Sequence, residues 1–114
     1  MSYLFRSGRP EDEQKGQVLG PPDYVIECNG KVVGWAYVYF LGKEANIPAF
    51  QTDPPKSGHG RRFLSEIESL ARQKGVTIVH ATDVTENKVG FWKKMGYELT
   101  SNPDGPLIYS KKLE

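Results

Sequence analysis

The sequence predicts a mixed α+β fold, and three observations carry that prediction. Asn29-Gly30 stands between two runs of apolar, β-branched and aromatic residues, Tyr24–Cys28 and Lys31–Leu41, the strongest short-range hairpin signal a sequence offers. Residues 61–74 carry Phe63, Leu64, Ile67, Leu70 and Ala71 at helical spacing, with Gly75 behind them as a stop. Residues 76–81 form an apolar run broken only by Thr77 and His80, the pattern of a strand buried on both faces. At 114 residues the chain suits one domain, 1–114, with room for a real core.

Composition narrows the function. Hydrophobic content of 38% with 12 glycines and 8 prolines describes a turn-rich globular chain rather than a disordered one. The formal net charge of +1 gives no field that selects nucleic acid or a membrane surface. No apolar run reaches membrane-spanning length and no signal-peptide pattern opens the chain, so a cytoplasmic location is expected. Cys28 is the one cysteine, which excludes an intrachain disulfide and suits plain packing on a strand. No cluster has metal-ligand spacing, so no metal is expected.

Taken in order, residues 1–5 suit a first strand. Residues 6–22 are polar, and Pro10, Glu11, Asp12 and Glu13 can open one or two helical turns. Gly16, Gly20, Pro21 and Pro22 prevent a long helix. The hairpin follows, its Val25, Ile26, Val32, Val33 and Val38 suited to a pleated surface. Gly34 implies a bulge or a close backbone approach. Trp35, Tyr37 and Tyr39 alternate onto one face, as core, groove wall or pocket lining. Residues 44–51 set Glu44, Asn46, Pro48 and Phe50 against Ala45, Ile47, Ala49 and Gln51. Pro48 cannot donate to a ladder and marks an edge, a bulge or a splay. On helix 61–74, Arg61, Arg62, Glu66, Glu68, Arg72 and Lys74 face water. Asp83 with Glu86, or Thr85, is placed to cap a second helix holding Phe91, Trp92 and Met95. Residues 97–100 and 107–112 pair around the turn formers Ser101 to Pro106.

The stretch from Glu44 to Arg72 organises the rest. A strand delivers Thr52 to Gly60, a loop of turn formers, onto a helix start. The first N–H groups of any helix lack partners within it, and the dipole adds positive charge there. Gly58 and Gly60 let an anion come close, and Arg61 and Arg62 add charge at the mouth. An ordinary strand-to-helix turn explains these residues equally well. Phe63 stands where a dinucleotide fingerprint has its third glycine, and the ending of a P-loop is absent.

The order of that loop, its helix, the strand and then Asn87-Lys88-Val89-Gly90-Phe91-Trp92-Lys93-Lys94-Met95-Gly96-Tyr97-Glu98 resembles the GNAT family of acyl-CoA-dependent N-acetyltransferases, from about Tyr24 onward. The resemblance implies a mixed, mostly antiparallel sheet of about six strands flanked by helices. Its fourth and fifth strands would splay around the pantetheine arm of acetyl-CoA. It assigns cofactor contacts to Phe50, Gln51, Thr52, Lys56, Ser57, Gly58, His59, Gly60, Arg61, Arg62, Asn87 and Trp92. Glu44 falls where lysine-acetylating members keep a general base; the plain alternative is a solvated carboxylate paired with Lys43 or another lysine. Pro55 replaces the family's loop Gln or Arg. Trp92 replaces a tyrosine acid, and an indole N–H donates a hydrogen bond but is no usable acid.

The implied activity is acetyl transfer to a primary amine, a protein lysine or N-terminus being favoured by an open acceptor groove. A second subunit would be the other way to complete that groove. The alternatives are a non-catalytic acyl-CoA-binding or regulatory domain, and an interaction module using Lys93, Lys94, Lys111 and Lys112.

Overall fold

The computed structural model describes residues 2–14, 20–55, 57–101 and 104–114 of the chain. Lys56 and Gly16, and the turn positions 102–103, lie outside the described residues. Among the described residues, β1 (Tyr3–Ser7), β2 (Tyr24–Cys28), β3 (Lys31–Leu41), β4 (Glu44–Thr52), β5 (Ile78–Ala81), β6 (Glu98–Leu99) and β7 (Tyr109–Lys112) form one sheet in the order β1-β2-β3-β4-β5-β7-β6. The expectation of about six strands thus falls one short. Only β4 and β5 run parallel, and α1 (His59–Gln73) makes the crossover between them. A short α2 (Val89–Lys94) follows a 3₁₀ turn at Glu86–Lys88.

The hairpin forms as its residues demand. Asn29 at φ 53° and Gly30 at φ 84° supply the left-handed pair of a type I′ turn. Gly34 answers to both expectations at once. Pairing shifts from Ile26↔Gly34 to Glu27↔Val32, so Val33 is the extra residue of a bulge. A Cβ on Gly34 would also lie 2.8 Å from Ile26 Cγ2 and Phe63 Cδ2, inside the packing of α1 on the sheet.

A second bulge matters more. Pairing passes from Tyr37↔Ala49 to Tyr39↔Asn46, so Ile47 and Pro48 together oppose Val38. An extra residue reverses the alternation of side chains beyond it. The uniform alternation expected along 44–51 is therefore wrong. Phe50 does not share a face with Glu44; it turns to the helices and stacks on Phe63 at 5.2 Å and Phe91 at 5.6 Å between ring centroids.

Phe63, Leu64, Ile67 and Ala71 of α1 are buried against Ile26, Ala36, Ala45, Ile47 and Val79 of the sheet. Three expectations about the helices need correction. α1 begins at His59, with Gly58 as its N-cap at φ 89°, so the start lies upstream of Arg61. Glu68 does not face water: it is 4% exposed, because Tyr97 and Lys111 fold over that side of the helix. No side chain caps the Glu86–Lys88 turn or α2; the Thr85 hydroxyl instead donates to Asn87 Oδ1 at 2.6 Å.

Between β1 and β2 the described helical structure is the 3₁₀ turn Pro10–Asp12, in keeping with the short helix expected there. No helix is long and apolar enough to cross a membrane among the described residues.

Candidate active site

β4 and β5 pair from Glu44↔Ile78 to Ile47↔Ala81 and then part. Their last link is the Thr82 N–H to the Ile47 carbonyl, 3.1 Å. Pro48 comes next and has no N–H to offer, and the bulge turns the strand further. β4 runs on to Thr52 without a partner on that side among the described residues. The expected splay is present, and alternate main-chain groups between Pro48 and Thr52 face the gap. The gap holds a cleft of about 190 Å³, lined by Trp35, Tyr37, Pro48, Phe50, Gln51, Val84, Lys88 and Trp92, among others.

At one end of β4 stands the start of α1. Its ladder begins with the Arg62 N–H on the Gly58 carbonyl at 3.3 Å, so the N–H groups of His59, Gly60 and Arg61 have no partner within the helix. A Cβ on Gly58 would meet nothing within 4 Å. The helix start is thus open at Gly58, and it lies two residues earlier than the start expected at Arg61.

Several individual assignments differ from expectation. Gly60 is packed closely on its Cα side: a Cβ there would lie 3.1 Å from Phe91 Cε1 and 3.7 Å from Thr52 Oγ1. The His59 side chain is turned inward and buried, its Nδ1 2.9 Å from the Tyr3 hydroxyl. Arg62 lies over the Tyr3 ring, 5.2 Å from its centroid, and pairs with Glu66 at 3.4 Å. Ser57 donates its hydroxyl to the Pro54 carbonyl, 2.7 Å. Arg61 stays exposed. Asn87 is exposed with its Oδ1 engaged by Thr85, and it does not line the cleft.

Trp92 is 3% exposed and closes the floor of the cleft. Its ring meets Phe50, Phe91 and Tyr97 edge-on at 5.4, 5.2 and 5.0 Å. Lys88 is the residue the sequence reading missed. Its Nζ donates to the Phe50 carbonyl at 3.0 Å, across the mouth of the gap. The visible signal was slight: a lysine next to the family-like asparagine, which reads as surface charge. The expected basic cluster is broken up, since Lys111 Nζ binds Glu68 at 3.1 Å.

Glu44 sits apart from the cleft, on the wall of a second, broader hollow of about 440 Å³. Tyr39, Asn46, His80 and Ile108 also line it. Thr82 lines both spaces. Among the described residues the partner of Glu44 is neither Lys43 nor another lysine: Oε1 lies 2.6 Å from His80 Nε2. Among the described residues no group of His, Cys, Asp and Glu has the arrangement of a metal site.

No protein-family model and no curated protein matches the sequence. Solved structures do share the fold. The PaiA N-acetyltransferase from Thermoplasma acidophilum in complex with coenzyme A is 19% identical at a TM-score of 0.70 over 79% of this chain. N-acetylglutamate synthase from Neisseria gonorrhoeae, complexed with coenzyme A and L-arginine, is 17% identical at a TM-score of 0.77 over 97% of it. Ard1 from Thermoplasma volcanium is 20% identical at 0.77 over 100%. This chain spans 59% and 33% of the first two proteins and 99% of the third. The architecture is therefore the GNAT fold, shared with N-acetyltransferases of low sequence identity.

Proposed function

We propose that the protein is an N-acetyltransferase that moves an acetyl group from acetyl-CoA to a primary amine. The observation that carries this reading is the parting of β4 and β5 over a cleft beside an open helix start. That pairing of features suits a long ligand with an amide-rich arm and a diphosphate. Main-chain groups between Pro48 and Thr52 would hold the arm, and the N–H groups of His59, Gly60 and Arg61 the diphosphate. Arg61 is an exposed cation next to them. The ligand supplies an activated acetyl group; the chain positions it and manages protons.

The acceptor amine must lose a proton before it can attack. A lysine amine has a reference pKa of ~10.4, so near neutrality a base is needed. Glu44 is that base in this reading. Its hollow shares the lining residue Thr82 with the cleft and is open enough for a protein lysine or N-terminal amine. The leaving thiol needs little help, because a thiol of pKa ~8.5 departs readily as thiolate. Trp92 therefore need not act as an acid; it packs beside the reacting end of the cleft.

The test has two parts. Acetyl-CoA should raise the melting temperature, as any ligand binding only the folded state does. Free thiol should then appear when peptides with a lysine or a free N-terminus are added. Absence of both effects removes the reading. A second reading, a non-catalytic acyl-CoA-binding domain, draws on the buried Trp92 in place of an acid. It predicts the thermal shift without thiol release, and thiol release gained in Trp92→Tyr.

A further inference from the structure

We infer that His80 is a positioning residue for Glu44, holding its carboxylate at the wall of the open hollow. The inference rests on the acetyl-transfer reading above. The sheet register brings the groups together. Asn46, His80 and Ser110 stand in one row across β4, β5 and β7, and Glu44 lies one same-face step along β4. Glu44 thus reaches His80 diagonally, a separation long side chains bridge.

A carboxylate with a side chain 51% exposed gains little stability from a surface pair. Yet this pair is backed by a chain of hydrogen bonds running inward. His80 Nδ1 lies 2.6 Å from Ser110 Oγ, and Ser110 is buried. Ser110 Oγ lies 2.9 Å from Thr100 Oγ1, which reaches the Ile108 carbonyl at 3.2 Å.

The two hydroxyls can turn, and that makes the chain tolerant of either protonation state. With a neutral ring, Nε2–H donates to Glu44 while Nδ1 accepts from Ser110, which accepts from Thr100. With a charged ring, Nδ1–H donates to Ser110, Ser110 to Thr100, and Thr100 to the Ile108 carbonyl. In both states an N–H points at Glu44 Oε1 and no donor is stranded. One carboxylate oxygen is thereby fixed, and the second remains for the acceptor amine. Titratable groups on this sheet face, by register, include Tyr39 and, two residues along β3, Tyr37, with Glu98 on β6 and Lys112 on β7.

The experiment measures thiol release at saturating acetyl-CoA with the lysine and N-terminal peptides. His80→Leu should lower kcat/KM for the amine about 10- to 100-fold, up to the cost of misplacing a reacting group by about 1 Å, with the acetyl-CoA thermal shift unchanged. His80→Gln keeps a donor toward Glu44 and should recover most of the loss. In a Glu44→Gln background, His80→Leu should cost nothing more, because its effect passes through the carboxylate. Ser110→Ala should give a smaller loss and serves if His80→Leu does not fold. His80→Leu or Ser110→Ala protein as active as wild type overturns the inference alone, as does a full extra loss on the Glu44→Gln background. Wild-type protein that releases no thiol with either peptide overturns both this inference and the reading beneath it.

Discussion

Glu68 and Glu66 lie on the same helix yet meet opposite fates. Glu68 accepts from the Tyr97 hydroxyl at 2.7 Å and from Lys111 Nζ at 3.1 Å, inside the core. Glu66 pairs with Arg62 at 3.4 Å at the surface. Glu68→Ala leaves a buried hydroxyl and an ammonium without an acceptor, and should cost about 3 kcal/mol. Glu66→Ala should cost under about 0.5 kcal/mol. Urea midpoints of the two variants, measured side by side, check the contrast; equal midpoints would refute it. The sequence puts both on the wet face. Helical periodicity sees only the residues of its own helix, and the partners that bury Glu68 arrive from Tyr97 and Lys111. Gly34 was legible in kind, because a glycine within a strand already implies a bulge or close approach. Gly34→Ala should lose about 1–3 kcal/mol, since its Cβ has no room beside Ile26 and Phe63.

At the scale of elements, β4 and the start of α1 define the cleft, and each was half legible. Pro48 announced a break in pairing. What it did not reveal was the extra residue opposite Val38, and so which face Phe50 takes. A one-residue change in register leaves no mark in composition. The loop likewise announced a helix start, while its two glycines proved to do different work. Gly58 holds φ 89° in open space, so Gly58→Ala should strain the backbone by about 1–2 kcal/mol. Gly60 is an ordinary helical position pressed against Phe91. Gly60→Ala gains at most about 1 kcal/mol of helix propensity, less in this first turn, which the clash with Phe91 offsets, and melting should change little. The Phe91 ring must give by a few tenths of an ångström, which should disturb its stacking on Phe50 in the cleft wall. Acetyl-CoA affinity should therefore fall about tenfold, or about 1.4 kcal/mol. Calorimetric titration of both variants tests this division: Gly60→Ala should be the weaker binder and Gly58→Ala the less stable protein.

Across the whole molecule, two polar clusters tie distant segments and set the pH range of the fold. Arg6 on β1 donates to Asp12 in the 3₁₀ turn and to Glu27 on β2, each at 2.7 Å. The Arg9 N–H adds a bond to Asp12 at 2.8 Å. None of this was legible, because the charges sit in three separate segments and only the sheet brings them together. The Arg6 hydrogen bond, outweighing burial and helped by Arg9, holds the Asp12 carboxyl below its ordinary value. A depressed folded pKa contributes stability above the unfolded value of ~3.9, which is lost as pH falls through the folded one. At the other end, burial and then the neighbouring Glu68 push the Tyr97 hydroxyl far up. A raised folded pKa contributes stability below the unfolded value of ~10, which is lost as pH climbs past it. Tyr24 and Tyr37 shift the same way, mainly through burial. Melting temperature against pH should thus fall away below about 4 and above about 10. Asp12→Asn should flatten the acid limb and leave the alkaline one. Tyr97→Phe should flatten part of the alkaline limb, with Tyr24 and Tyr37 keeping the remainder. An acid limb unchanged in Asp12→Asn would show that this carboxylate does not tie the 3₁₀ turn to β1.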